Sequence, residues 1–156
     1  MEKKKMNEQY KLINEQLKSL IEDIDYDISM LSNASALLYS SLDRLNWAGF
    51  YIMKDGLLKL GPFQGQVACI KIPVGKGVCG TAVKLDATQR VEDVHQFPGH
   101  IACDSRSNSE IVIPIHVKGE IYGVLDIDSP ELCRFLPEDQ EGLEEFVRIM
   151  EKHLEA

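Results

Sequence analysis

The sequence lacks any apolar run approaching the ~18 residues of a membrane span. It also lacks the basic surplus that a phosphate backbone or an anionic bilayer demands. Lysine and arginine number 17 against 25 aspartates and glutamates, a formal net charge of -8. Nucleic-acid and membrane partners are thereby excluded, and a small ligand is expected. The charged start MEKKKMNEQYK is not followed by the apolar block of a signal peptide, so a cytoplasmic protein is expected. Cysteine is sparse, four residues in 156, and no two stand at Cys-x-x-Cys spacing. In a reducing compartment such cysteines are poor candidates for structural disulfides, which leaves catalysis, metal binding or inert burial.

What is present fits one globular domain, with 44% hydrophobic and 27% charged residues. Tyr10, Ile13, Leu17, Leu20 and Ile24 recur at helical spacing. Ile28, Leu31, Ala34, Leu38, Leu42 and Leu45 repeat it after a break at Asp25 to Asp27, so two amphipathic helices are predicted over 1–45. The segment 46–130 reads as strands and loops: WAGFYIM and LLKLGPF around an Asp55-Gly56 turn, a Gly-rich loop with a short helical piece, then EIVIPIHV and IYGVLDID joined at Lys118-Gly119-Glu120. Pro137 opens a last helix within 131–156, with Leu143, Phe146, Val147, Met150 and Leu154 on one side. The joints between strands are too short for parallel crossovers. The expected class is therefore α+β, a mainly antiparallel sheet flanked by N- and C-terminal helices.

Patterning fixes the register of the second hairpin. An odd, three-residue loop puts Ile111, Ile113, Ile115 and Val117 with Ile121, Gly123, Leu125 and Ile127 on one apolar face. Glu110, His116, Tyr122, Asp126 and Asp128 then share the other, whereas an even loop would bury Asp126 among isoleucines. Three carboxylates, Glu110, Asp126 and Asp128, therefore cluster at one strand end. Their repulsion raises at least one pKa and leaves a proton donor, while the others can hold an ammonium group. A solvated polar face or a divalent-metal site explains the cluster equally simply.

The stretch PGHIACDSRSNSEI sets Cys103 in a polar loop, and Cys69 and Cys79 also fall in loop or glycine-rich segments where a sulfur can be exposed. Loop thiols suggest redox exchange: a thiolate is oxidised to a sulfenic acid, and a second thiol condenses with it to a disulfide. Cys133 in SPELCRFL reads as inert and buried. His100 could support a thiolate at Cys103 and Asp104 would oppose it. A zinc site from His95, His100 and Cys103 lacks the usual paired spacing, and no metal is expected. GKGVCG, Gly75 to Gly80, fits a dinucleotide-loop pattern but lacks the preceding long strand and following full helix. Its glycines read as a flexible hinge carrying Cys79. Trp47 and Tyr51, four apart in a strand, share a face and form either a wall for a methyl or thioether group or plain core packing.

WAGFY (Trp47 to Tyr51), LGPFQG (Leu60 to Gly65), AC with GKGVCG (Ala68 to Gly80), VEDVHQFPGHIACD (Val91 to Asp104), SNSEIV (Ser107 to Val112) and GVLDIDSP (Gly123 to Pro130) together resemble the free methionine-R-sulfoxide reductase family, which has the GAF fold. The resemblance implies Cys103 as nucleophile, Cys79 as the principal resolving thiol and Cys69 as a third redox cysteine able to form a disulfide. It implies Glu110, Asp126 and Asp128 as the carboxylates that hold free methionine sulfoxide, and Trp47 and Tyr51 as walls for its S-methyl group. It further implies thioredoxin as external reductant, coupled to NADPH, no bound cofactor, and a homodimer. The chemistry agrees. A sulfoxide becomes a good electrophile once its oxygen is protonated, and Glu110, kept neutral by its neighbours, would supply that proton. Carboxylates that bind an ammonium group favour a free amino acid over a peptide-bound one. The competing expectation is a non-catalytic GAF small-molecule sensor.

Overall fold

The computed structural model describes residues 2–101, 103 and 105–155. Two helices open the chain, α1 (Glu2–Ile21) and α2 (Asp27–Ser41), and are followed by β1 (Trp47–Lys54), β2 (Leu57–Gly65) and β3 (Lys71–Ile72). Then come α3 (Gly77–Leu85), β4 (Gln89–Val91), β5 (Ser109–Val117), β6 (Glu120–Ser129) and α4 (Pro137–Glu151). The strands form one antiparallel sheet in the order β3-β2-β1-β6-β5-β4.

The sheet is apolar on both sides, for two different reasons. On one side α2 packs on β1 and β2, α4 packs on β5, and α1 closes over α4. Leu17, Ile21, Leu31, Leu38, Phe50, Ile111, Ile115, Leu125 and Phe146 meet there. Each such side chain contributes about 1.5–3 kcal/mol by leaving water. Gly142 of α4 permits the close approach of α1, because a Cβ there would overlap the Tyr10 ring. The Tyr10 hydroxyl donates to Asp139 at 2.6 Å, and Asp139 also accepts the Leu136 N–H at 2.8 Å, which caps α4. On the other side only α3 and loops cover β5 and β6, and here Trp47, Tyr51, Val112 and Val124 meet Val78, Cys79 and Ala82.

Three features differ from the sequence expectation. The α1 stripe runs Tyr10, Ile13, Leu17, Ile21, while Leu20 lies off that face and Ile24 lies beyond the helix end at Ile21, so both are exposed. Likewise α2 stops at Ser41, so Leu42 and Leu45 lie beyond it, and Ile28 is exposed. The β5–β6 turn has two residues, Lys118 and Gly119, both at positive φ as a type I′ turn requires. The odd register still holds at the strand ends, where Glu110 faces Asp128 and Ile111 faces Ile127. A bulge makes the correction: Ile115 pairs with Gly123 but His116 with Ile121, leaving Tyr122 as the extra residue. Consequently Tyr122 turns to the helix side and donates to Asp27 at 2.9 Å, while Ile121 packs on the side of the carboxylates.

Candidate active site

Strand pairing brings the three carboxylates together. Glu110, near the start of β5, lies across from Asp128 of β6, and Asp126 stands two residues back on the same face. On the other flank of β6, Trp47 of β1 pairs with Asp128, and Gly49 pairs with Asp126. Gly49 also faces Phe63 of β2 so closely that a Cβ would overlap the Phe63 side chain. Trp47 stacks on Phe63 with ring centroids 5.1 Å apart and lies 5.8 Å from Tyr51, so a third aromatic that the sequence reading missed backs the Trp47 wall. Its signal was the hairpin register, which places Phe63 opposite Gly49, between Trp47 and Tyr51.

These aromatics also hold the segment that carries Cys69. Trp47 Nε1 donates to the Gln66 carbonyl at 3.1 Å, and the Tyr51 hydroxyl donates to the Cys69 carbonyl at 2.9 Å. Cys69 and Cys103 form a disulfide with Cα atoms 5.5 Å apart. The bridge therefore joins Cys103 to Cys69, not to Cys79, the partner ranked first from sequence. Cys79 is a free thiol, and it occupies no mobile loop: it sits in the first turns of α3, buried and 4% exposed. The glycines around it serve close packing. A Cβ on Gly80 would overlap the Pro73 carbonyl, and Gly77, at φ +63, donates its N–H to Gly99 and lies under Ile101. The Cys103 loop is thus seated on the start of α3.

Burial first, and then Asp126 and Asp128, push the Glu110 carboxyl well above the usual carboxylate range. Burial also raises Asp126, although hydrogen bonds from Glu110, Cys79 and Asp128 oppose that shift. Glu110 is accordingly the group that keeps a proton, and Asp126 the one that accepts. Cys79 is pushed well above the ordinary thiol range by burial, then by Asp126, Glu110 and Asp128, and its S–H bonds Asp126. His100, half-buried in the wall, is lowered by burial and then by His95, which leaves it neutral at pH 7 and unable to act as a cation beside a thiolate. Asp104 lies outside the described residues. Ser107 lines the carboxylate end of the pocket and accepts a 3.0 Å hydrogen bond from Asn46 behind it; both are buried and neither was anticipated.

Cys69, named from sequence as a third redox cysteine, is the sulfur bonded to Cys103; Cys79, Glu110, Asp126, Asp128, Trp47 and Tyr51 surround the same pocket. Among the described residues no lysine or arginine lines it. The Cys–His set does not assemble, since Cys103 is disulfide-bonded and His95 Nε2 pairs with Asn108 Oδ1 at 2.9 Å. Cys133, expected to be buried, is exposed and donates from Sγ to Glu92 at 3.4 Å. A buried acid holding a proton, an acceptor beside it, and a sulfur pair able to open and close can together perform thiol-based reduction of a cationic ligand.

The GAF domain family matches residues 13–154. The chain is 54% identical over 145 residues to the free methionine-R-sulfoxide reductase of Escherichia coli, covering 93% of this chain and 88% of that one. Its fold superimposes on the Staphylococcus aureus fRMsr in complex with substrate with TM-score 0.90 at 56% identity, covering 94% of this chain and 95% of that one. It also superimposes on the Neisseria meningitidis free methionine-R-sulfoxide reductase in complex with its substrate, with TM-score 0.90 at 40% identity, covering 92% and 87%. On this similarity, sustained over nearly the whole chain in sequence and in fold, the protein is a GAF-domain member of the free methionine-R-sulfoxide reductase family.

Proposed function

We propose that the protein reduces free methionine-R-sulfoxide to methionine, with Cys103 attacking the substrate sulfur and Cys69 resolving the product. The observation that carries this reading is that Cys103, bonded to Cys69, lines the same pocket as Glu110, Asp126 and Asp128. The substrate's ammonium group binds the carboxylates, Asp126 foremost, and its S-methyl group lies against Trp47 and Tyr51. Glu110 passes its proton to the sulfoxide oxygen as the Cys103 thiolate attacks; the substrate S–O bond breaks, methionine leaves, and the hydroxyl passes to Cys103, which becomes a sulfenic acid. The Cys69 thiol then displaces that oxygen as water and forms the disulfide. Cys79, whose thiol is held protonated, is a weak nucleophile at neutral pH and contributes a hydrogen bond to Asp126.

Thioredoxin, a dithiol drawing on NADPH, reopens the bond. Cys69 and Cys103 are both only half-buried, which supports attack by an external thiolate. No described helix is long and apolar enough to cross a membrane, and the cytoplasm is the proposed location. The exposed apolar side chains Leu12, Ile24, Tyr26 and Ile28 support a homodimer through the N-terminal segment. A pure sensor has no use for a closable sulfur pair within its pocket.

The test is thioredoxin-coupled NADPH consumption with the separate R and S epimers of free methionine sulfoxide and with a peptide-bound substrate. Consumption confined to the free R epimer is expected. No consumption with that epimer would overturn the assignment.

A further inference from the structure

With the Cys69–Cys103 bond closed, one thiol remains in the pocket. Its surroundings form a ligand set. One Cys79 Sγ, one Glu110 oxygen and one Asp126 oxygen lie within 4.8 Å of one another, and all three residues are buried. The cavity they border has a volume of about 40 Å³. A benzene-sized guest occupies an apolar cavity of roughly 150 Å³, so the space beside these donors suits an ion or a water.

A separate observation points to a cation. Asp126 is 5% exposed, lines the cavity, and its Oδ1 has no hydrogen-bond partner among the described residues. A buried carboxylate oxygen left in this way costs about 1–3 kcal/mol unless something satisfies it. Carboxylates alone would suit magnesium or calcium; a thiolate among them shifts the preference to a borderline ion such as zinc. Zinc bonds of about 2.0–2.3 Å hold tetrahedral ligands roughly 3.6 Å apart. At no more than 4.8 Å apart, the three donors stand within about an ångström of that spacing.

We infer that, when the Cys69–Cys103 bond is closed, Cys79, Glu110 and Asp126 form a zinc-binding site. The ion displaces the Cys79 and Glu110 protons, takes three protein ligands, and leaves its fourth position to water. It occupies the place proposed for the substrate's ammonium group, so zinc and amine-bearing ligands exclude one another. The site does not depend on which cysteine attacks substrate. The sequence offered no such set, because Cys79 is far along the chain from Glu110 and Asp126.

The test uses oxidised protein carrying Cys133→Ser, which removes the exposed thiol. Zinc is titrated against a chromophoric chelator, and cobalt(II) is followed by absorption. One ion per chain is expected, with a thiolate-to-cobalt charge-transfer band that disappears on Cys79→Ser. Affinity should fall by about tenfold or more in Cys79→Ser and in Glu110→Gln. Absence of stoichiometric binding, or binding unchanged by both substitutions, overturns the inference. If Cys79→Ser fails to fold by circular dichroism, Glu110→Gln alone decides. Activity is not read, so this result stands apart from the reductase assay.

Discussion

The Tyr51 hydroxyl donates a 2.9 Å hydrogen bond to the backbone carbonyl of Cys69, so an aromatic wall of the pocket also holds the segment bearing the second sulfur. Replacing Tyr51 with Phe keeps the wall and releases the segment. A lost bond of this kind costs about 1 kcal/mol. The first turnover, measured by single-turnover methionine release, should be nearly unchanged. Disulfide formation, measured by loss of free thiols after that turnover, should slow severalfold.

The three cysteines of the pocket should separate in the same experiment. Cys103→Ser is expected to abolish even one turnover. Cys69→Ser should allow one equivalent of methionine per chain and then stall as a sulfenic acid that a dimedone-type reagent traps. Cys79→Ser should keep turning over through the Cys69–Cys103 bond with little change in KM, because the serine hydroxyl still offers a donor to Asp126. Multiple turnovers in Cys69→Ser would transfer the resolving role to Cys79.

The proton on Glu110 sets a pH limit. Its carboxyl titrates well above the ordinary range because it is buried beside Asp126 and Asp128. Single-turnover rates should be flat where Glu110 is protonated and fall as pH rises through its folded-state pKa. Glu110→Gln should lower the rate by about 10²–10⁴-fold and remove that alkaline fall. The readout is the pH profile of methionine release.

Stability should also fall as pH rises, for the same proton. Unfolded, Glu110 ionises at ordinary carboxylate pH; folded, it ionises only at higher pH. The stability linked to it is thus fully present below the unfolded pKa and is lost as pH rises through the folded one. Glu110→Gln should therefore match the parent below the ordinary carboxylate range and exceed it progressively as pH rises from there toward the folded-state pKa. The gain should be about 1–3 kcal/mol, read as a rise of several degrees in Tm for a domain of this size.

Gly49→Ala tests the close approach of β1 and β2. The new Cβ would overlap Phe63, so the strands must separate or the aromatic stack must shift. A loss of about 1–3 kcal/mol in urea unfolding is expected, with a weakened substrate affinity.

Much of this site could be read from residue parity. Period-two alternation placed Trp47 beside Tyr51 and grouped Glu110 with Asp126 and Asp128, because an error of one residue would have buried a carboxylate among isoleucines. The same reasoning failed for Tyr122. An extra residue in β6 restores the register from a two-residue turn, and nothing in IYGVLDID announces a bulge. Cys79 was misplaced for a related reason: glycines that allow α3 to nest against Pro73 and Ile101 look, in one dimension, like glycines that loosen a loop. Which sulfur meets Cys103 could not be read at all, since cysteine spacing does not determine connectivity.

The Cys69–Cys103 bridge spans 34 positions and encloses β3, α3 and β4 in a covalent ring. Closing a ring of that length removes chain entropy from the unfolded state equivalent to about 3–4 kcal/mol. Each catalytic cycle would therefore alternate a tethered chain with an untethered one. The fully reduced protein, poised for substrate, would be the form most exposed to heat and proteolysis, and a melting curve taken during turnover would record how much of the population awaits its reductant.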